Sequence, residues 1–328
     1  MFIPQAYWVA LLMTVVTMFC WGSWVNMQKA AKNWRFELFY WDYIWGVLVC
    51  TVILGLTLGR IHPASPDSFF NNLASASFRN LVFAFLGGFI FNFGNLFIVA
   101  AIAVAGLAVA FPVAIGLAMV VSAILNYLIV PKGNPLLLFG GVVLVVIGMV
   151  FDGLAYHKIS SGRKVTLQGI VFSLLSGLGL GLFYPLVAKS LQGPARLEPY
   201  SMAFVFVLGA VVSTFPFNYV FMRRPVSGPP LRMKDYFGGP GGAVHLWGFI
   251  GGMIWAVGTV FSFVTSDVQM VGPAISYALG EGATLIAVIW GVFVWKEFRG
   301  ASKQAWSMLA VMFILFLAGL ICVALAPV

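Results

Sequence analysis

Asn92 and Asn95 stand three residues apart, and Tyr277 and Glu281 four apart, so each pair projects from one face of a helix. All four lie in strongly apolar runs, as do Trp21, Trp24, Tyr184, Trp255 and Thr259. Aromatic faces with amide and hydroxyl groups beside them make flat walls and neutral hydrogen-bond forks, the chemistry that holds a small uncharged polar molecule. Glu281 adds a carboxyl deep in an apolar run, where ionisable groups are costly and typically serve as proton relays or partners of another polar group. Asp42, near the start of the second apolar run, is the second candidate for carrying a proton. Each amide or hydroxyl has a plain alternative, because membrane helices also use such groups as interhelical glue.

The elements that must position these residues are helices in a bilayer. The chain of 328 residues is 62% hydrophobic and 8% charged, with a mean hydropathy of +1.02, too little polar surface for a soluble globule of this length. About 20 apolar residues cross the hydrocarbon core as helix. Ten runs meet that length, at 7–26, 40–58, 81–100, 104–130, 136–156, 167–188, 200–222, 246–265, 271–295 and 305–325. The joints at 101–106 and 265–272 are short enough for tight hairpins. The expected fold is an all-α polytopic membrane protein.

The runs divide into two sets of five. Gly87, Gly88, Gly94 and Phe97 recur 164 positions later as Gly251, Gly252, Gly258 and Phe261; after a two-residue slip, Gly106 and Gly116 recur as Gly272 and Gly282. This predicts a first repeat over 1–156, a linker over 157–166 and a second repeat over 167–328 that carries a long loop at 223–244. These glycines are expected chiefly to allow close helix packing. Lys29, Lys32, Arg35, Lys158, Arg163, Lys164, Arg223, Arg224, Arg232, Lys234, Lys296, Arg299 and Lys303 fall in loops on one face, against Arg60, Arg79, Lys132, Lys189 and Arg196 on the other. By the positive-inside rule the rich face is cytoplasmic and both termini lie outside, in an integral plasma (inner) membrane. Five helices being odd, the halves are then inverted relative to one another, as in many secondary transporters. Trp34, Trp41, Trp45 and Trp247 are expected at the membrane interface.

The same residues exclude other chemistries. The net charge of +9 is explained by topology and does not call for nucleic acid. The glycines of loop 223–244 lack the Gly-Lys-Ser/Thr ending and preceding strand of a phosphate-binding loop, so no ATP-driven motor is encoded and the loop reads as a linker. Cys20, Cys50 and Cys322 fall inside apolar runs without disulfide or metal spacing and read as packing residues. His62, His157 and His245 sit at loops or run edges and are not expected to act as relays. No metal, cofactor or nucleophile-and-base set is apparent, which argues against a membrane-embedded enzyme. The first run has no preceding positive charge and no small-residue cleavage pattern, so it is expected to remain in the mature protein. The expected partners are a small-molecule substrate, protons and membrane lipids.

A resemblance sharpens this. Phe19-Cys20-Trp21-Gly22-Ser23-Trp24, Tyr40-Trp41-Asp42-Tyr43, Leu56-Thr57-Leu58-Gly59, Gly94-Asn95-Leu96, Leu125-Asn126-Tyr127, Leu182-Phe183-Tyr184-Pro185 and Trp290-Gly291 with Glu297 and Arg299 resemble the plant ureide permeases and their bacterial glucose/ribose uptake relatives. The resemblance spans nearly the whole chain. It implies the drug/metabolite transporter superfamily, with ten helices in two inverted halves around a cavity that opens alternately to each side, and inward transport. Two positions depart from that pattern: relatives carry an amide where this chain has Glu281, and an Asn where it has Thr259. From the residues a monosaccharide ranks first, imported by alternating access with proton symport. A ureide or nucleobase is the next reading, and export of a cationic drug through cation-π attraction a third.

Overall fold

Glycines set how closely these helices cross. A Cβ on Gly88 would lie 1.7 Å from the Phe206 carbonyl oxygen, and one on Gly252 would lie 1.9 Å from that of Tyr43. The reciprocal contacts repeat: a Cβ on Gly209 would lie 2.0 Å from the Phe85 oxygen, and one on Gly46 would lie 2.0 Å from the Phe249 oxygen. The chain thus makes one backbone-to-backbone crossing twice, with the roles of its halves exchanged.

The computed structural model describes residues 1–159, 166–239 and 241–327. Arg163 and Lys164, and with them most of the expected linker 157–166, lie outside the described residues. Among the described residues ten helices are long and apolar enough to span a membrane. The first is α1 (Tyr7–Ser23) continued by α2 (Val25–Ala30); then come α3 (Phe36–Leu56), a short surface helix α4 (Phe69–Ser75), α5 (Phe78–Ala105), α6 (Leu107–Ile129) and α7 (Pro135–Ile159). The second set is α8 (Leu167–Ser190), α9 (Pro199–Arg223), a short loop helix α10 (Met233–Phe237), α11 (Gly242–Asp267), the pair α12 (Pro273–Gly280) and α13 (Ala283–Ile289), and α14 (Lys303–Leu325). A π-helical turn, Trp290–Val294, extends α13. Each span agrees with its apolar run to within a few residues.

Helix contacts follow the exchange seen at the glycines. α5 packs on α8 and α9, and α11 packs on α1 and α3; α6 packs on α8, and α12 with α13 packs on α1. α7 pairs with α14, α3 with α9, and α6 with α12, each element meeting its own counterpart. The two expected hairpins turn on Gly106 (φ 78°) and Gly272 (φ 77°), left-handed positions where a side chain is strained. Their role is the turn, where the sequence suggested close packing.

Ties between loops define two faces. On one, Lys29 pairs with Glu297 at 2.8 Å, Tyr156 donates to the same carboxylate at 2.7 Å, and Arg35 donates to the Pro229 carbonyl at 2.5 Å. On the other, the Phe2 amide bonds the Leu58 carbonyl, that of Ser77 bonds Ala195, and that of Asn134 bonds Ala326, so both termini lie there. The described residues of the basic set fall on the first face. Trp45 and Trp247 are 42% and 38% exposed, but Trp45 stands at the middle of α3, away from the membrane interface expected for it, and Trp34 and Trp41 are only 6% exposed. Trp41 points into protein, donating to the Met222 sulfur at 3.2 Å, and Trp34 sits against Tyr236 and His245.

Candidate functional site

A line of aromatic rings crosses the centre of the bundle. Trp24, at the α1–α2 junction, lies 4.8 Å from Tyr43 on α3, which lies 6.1 Å from Trp255 on α11. Trp255 stacks on Phe91 of α5 at 4.7 Å, Phe91 meets Phe183 of α8 at 5.2 Å, and Phe183 meets Tyr277 of α12 at 5.9 Å. Tyr277 completes the line with Tyr184 at 4.9 Å. Trp255 and Phe91 stand about halfway along helices of 26 and 28 residues. Tyr43 lies toward the basic face and Tyr184 toward the opposite one, so the line runs from one face toward the other and draws on both halves of the chain.

Of the polar residues singled out in the sequence, several are engaged with protein. Asn92 is fully buried: it accepts from the Tyr40 hydroxyl at 2.5 Å and donates to Ser213 at 2.9 Å and Thr214 at 3.2 Å. Thr259 donates to the Trp255 carbonyl at 3.0 Å and accepts the Trp21 indole N–H at 2.9 Å, which ties α1 to α11. The Tyr184 hydroxyl sits among Ser262 at 2.8 Å and Ser276 at 3.2 Å, and Ser276 reaches Thr265 at 2.8 Å. Asn95 donates to Tyr40 at 3.0 Å, leaving its carbonyl oxygen without a bond to protein among the described residues. The indole N–H groups of Trp24 and Trp255 are likewise unengaged there.

Glu281 stands at a break. Between α12 and α13 the ladder tightens: the Gly282 amide bonds the Leu279 carbonyl at 2.9 Å and that of Thr284 bonds Glu281 at 3.1 Å, three residues back in each case. The Glu281 carboxyl neighbours the Tyr277 hydroxyl, which itself donates to the Leu180 carbonyl at 3.2 Å. Discontinuous helices at mid-membrane are where secondary transporters place substrate and coupling-ion sites. Glu281 is not the only carboxyl inside a span: Asp152 of α7 is 4% exposed, with one oxygen lacking a partner among the described residues.

Asp42 lies at the basic face. Both its oxygens are 3.0 Å from His245 Nδ1, and one accepts the Tyr236 hydroxyl at 2.5 Å. Burial, then the bond to Asp42 and its charge, hold the Tyr236 hydroxyl above the ordinary tyrosine range, so it is a neutral donor here. Sequence reading left His245 without a role; the α3–α11 crossing gives it this partner. On the opposite face Arg196 bridges Glu198, at 3.0 and 3.1 Å, and Asp267, at 2.7 and 3.2 Å. Burial pushes the Glu198 carboxyl above its usual range, and the Arg196 charge pulls it back. Two cavities open beside this bridge, one lined by Lys132, Gln192, Ser266 and Gln269, the other by Met1, Gln5 and Asp67. Both are of mixed polar and apolar lining and share Arg196 and Asp267.

Residues 39–168 and 157–326 each match the ureide permease family. The chain belongs to that family. Within this ureide permease family chain, 85% of the residues align with 86% of Ureide permease 1 of Arabidopsis thaliana at 26% identity. It is 23% identical to the glucose uptake protein GlcU of Bacillus subtilis, covering 83% of this chain and 88% of that one. A putative sugar uptake protein of Listeria innocua is also 23% identical, over 80% of this chain and 85% of its own. A solved structure titled "Crystal structure of protein" superposes with a TM-score of 0.64 over 96% of both chains at 15% identity, a likeness of fold. The chain is a membrane transporter by family.

Proposed function

We propose that this protein is a secondary carrier that imports a small, flat, uncharged solute bearing amide or urea carbonyls, by alternating access coupled to protons. The observation that carries this is the makeup of the central aromatic line. Its rings offer stacking faces, while the hydroxyls around it, on Ser213, Thr214, Thr259, Ser262 and Ser276, are bonded to protein. What is left for a solute among the described residues is the Tyr43 hydroxyl, the two indole N–H donors of Trp24 and Trp255, and the Asn95 carbonyl oxygen. A monosaccharide presents a hydroxyl on nearly every carbon and would bury most of them unpaired. A planar amide asks for few partners and stacks on both faces.

Monosaccharide import, favoured by the residue types alone, is the second reading, and the uptake proteins among the relatives support it. In either case the repeats rock about the central line, the Arg196 bridge closes one end, and the Asp42 cluster closes the other. Glu281, at the helix break beside the line, carries the proton. The basic face is cytoplasmic, with both termini outside.

Purified protein in proteoliposomes tests the assignment. Uptake of labelled allantoin and uracil, driven by an imposed pH gradient and unaffected by excess glucose, is the expected result. Uptake of glucose with no competition from allantoin or uracil would replace the planar solute with a sugar.

A further inference from the structure

Tyr43 is 1% exposed, and its hydroxyl has no hydrogen-bond partner among the described residues. Phenylalanine would fill the same space without leaving a donor stranded, and a stranded buried hydroxyl costs stability. Its neighbour shows the contrast. Tyr40, one turn earlier in reach and 5.2 Å away ring to ring, has its hydroxyl engaged on both sides, donating to Asn92 and accepting from Asn95. The Tyr43 ring, in turn, lies between Trp24 at 4.8 Å and Trp255 at 6.1 Å, whose indole N–H groups are unengaged as well. Three donors without protein acceptors among the described residues therefore sit on neighbouring rings of the aromatic line, at the crossing of α1, α3 and α11.

We infer that Tyr43 is a specificity-determining contact: its hydroxyl donates to a carbonyl oxygen of the solute, and the indole N–H groups of Trp24 and Trp255 complete the set. The inference rests on the planar-carbonyl reading above. A solute carbonyl that reaches this corner supplies the acceptor that the Tyr43 donor lacks among the described residues. An acceptor-rich face with little need of donors suits this corner, and a hydroxyl-rich solute gains less from it.

Wild type, Tyr43→Phe and Tyr40→Phe are compared by thermal stability in detergent, with and without allantoin, uracil and glucose. Ligand that binds the folded state raises the melting temperature. Tyr43→Phe is expected to be as stable as wild type or more so when empty, and to lose roughly tenfold in apparent affinity for allantoin or uracil, the weight of one buried hydrogen bond. Tyr40→Phe, which strands Asn92 and Asn95, is expected to melt lower when empty. If wild type and Tyr43→Phe respond alike to allantoin or uracil, the role assigned to Tyr43 is wrong while the solute class stands. If wild type responds to glucose alone, the solute class falls and this role with it. If empty Tyr43→Phe melts well below wild type, the hydroxyl has a structural partner and the inference fails.

Discussion

Tyr236 donates its hydroxyl to the Asp42 carboxylate at 2.5 Å, joining the loop between α9 and α11 to α3. Arg35 holds the same loop through the Pro229 carbonyl at 2.5 Å, and the Trp34 ring packs 6.2 Å from that of Tyr236. A segment that reads in the sequence as a linker is therefore strapped over one end of the aromatic line.

Removing the strap should loosen that loop without unfolding the bundle. Tyr236→Phe keeps the ring contacts and removes one donor from a carboxylate that His245 still faces. The loop contains Arg232 and Lys234, so brief trypsin treatment of the detergent-solubilised protein reports its opening. A several-fold faster cut in Tyr236→Phe, with an unchanged melting temperature, is expected; equal cutting rates would show that the hydroxyl does not hold the loop.

The bridge between Arg196 and Asp267 makes a matching prediction at the other face. Arg196 is in part solvated, but Asp267 is largely buried, and a buried carboxylate that loses its cation is destabilised. Arg196→Gln should therefore favour an arrangement in which Asp267 reaches water. Ser266 lines the cavity beside the bridge and its hydroxyl is buried. With Cys20, Cys50 and Cys322 replaced by serine, Ser266→Cys should react faster with a membrane-impermeant maleimide when Arg196 is glutamine. Labelling that is unchanged would mean the bridge is no gate.

The helix crossings predict where a methyl group is not tolerated. Gly252→Ala places a carbon where the Tyr43 carbonyl oxygen stands, and backbone must move to admit it; overpacking of this kind costs roughly 1–3 kcal/mol. Gly140, exposed on α7 with nothing within 4 Å of its Cβ position, is the control, and alanine there should be neutral or slightly stabilising because it favours helix. Gly88→Ala should resemble Gly252→Ala, since the two make the same crossing. A large loss at one and none at the other, read as melting temperature, would break the equivalence of the halves.

Much of this architecture was legible because bilayer thickness imposes its own length on the sequence. Runs such as 167–188 and 305–325 needed only counting to become α8 and α14. Glycines recurring 164 positions apart suggested a repeat, and at Gly88 and Gly252 the structure puts a backbone carbonyl where a Cβ would stand. The site was less legible. Asn92 reads as a ligand-binding amide and proves to be engaged with α9, since glue and ligand contact require the same side chain. His245 and Asp42 are 203 positions apart, and their pairing depends on how α3 crosses α11, with Gly248 making room beside the Asp42 side chain. The break at Glu281 carries no proline. It forms where Gly280 meets the Trp21 ring and Gly282 meets Met18, contacts made only once α1 is in place.

That break is the basis of the last prediction. A carboxyl at a helix interruption, beside Tyr277 and the end of the aromatic line, can exchange its proton when the nearby solute site opens to one face and then to the other. Glu281→Gln keeps the shape and the hydrogen-bonding capacity but cannot release a proton. In proteoliposomes it is expected to exchange labelled solute across the membrane at a rate comparable to wild type, yet to lose accumulation driven by a pH gradient. Asp42→Asn, which lies at the strapped end of the line, should slow both processes together and leave accumulation at equilibrium intact. If Glu281→Gln accumulates solute as wild type does and Asp42→Asn does not, the proton travels by way of the Asp42–His245 pair, and the break serves only to shape the site.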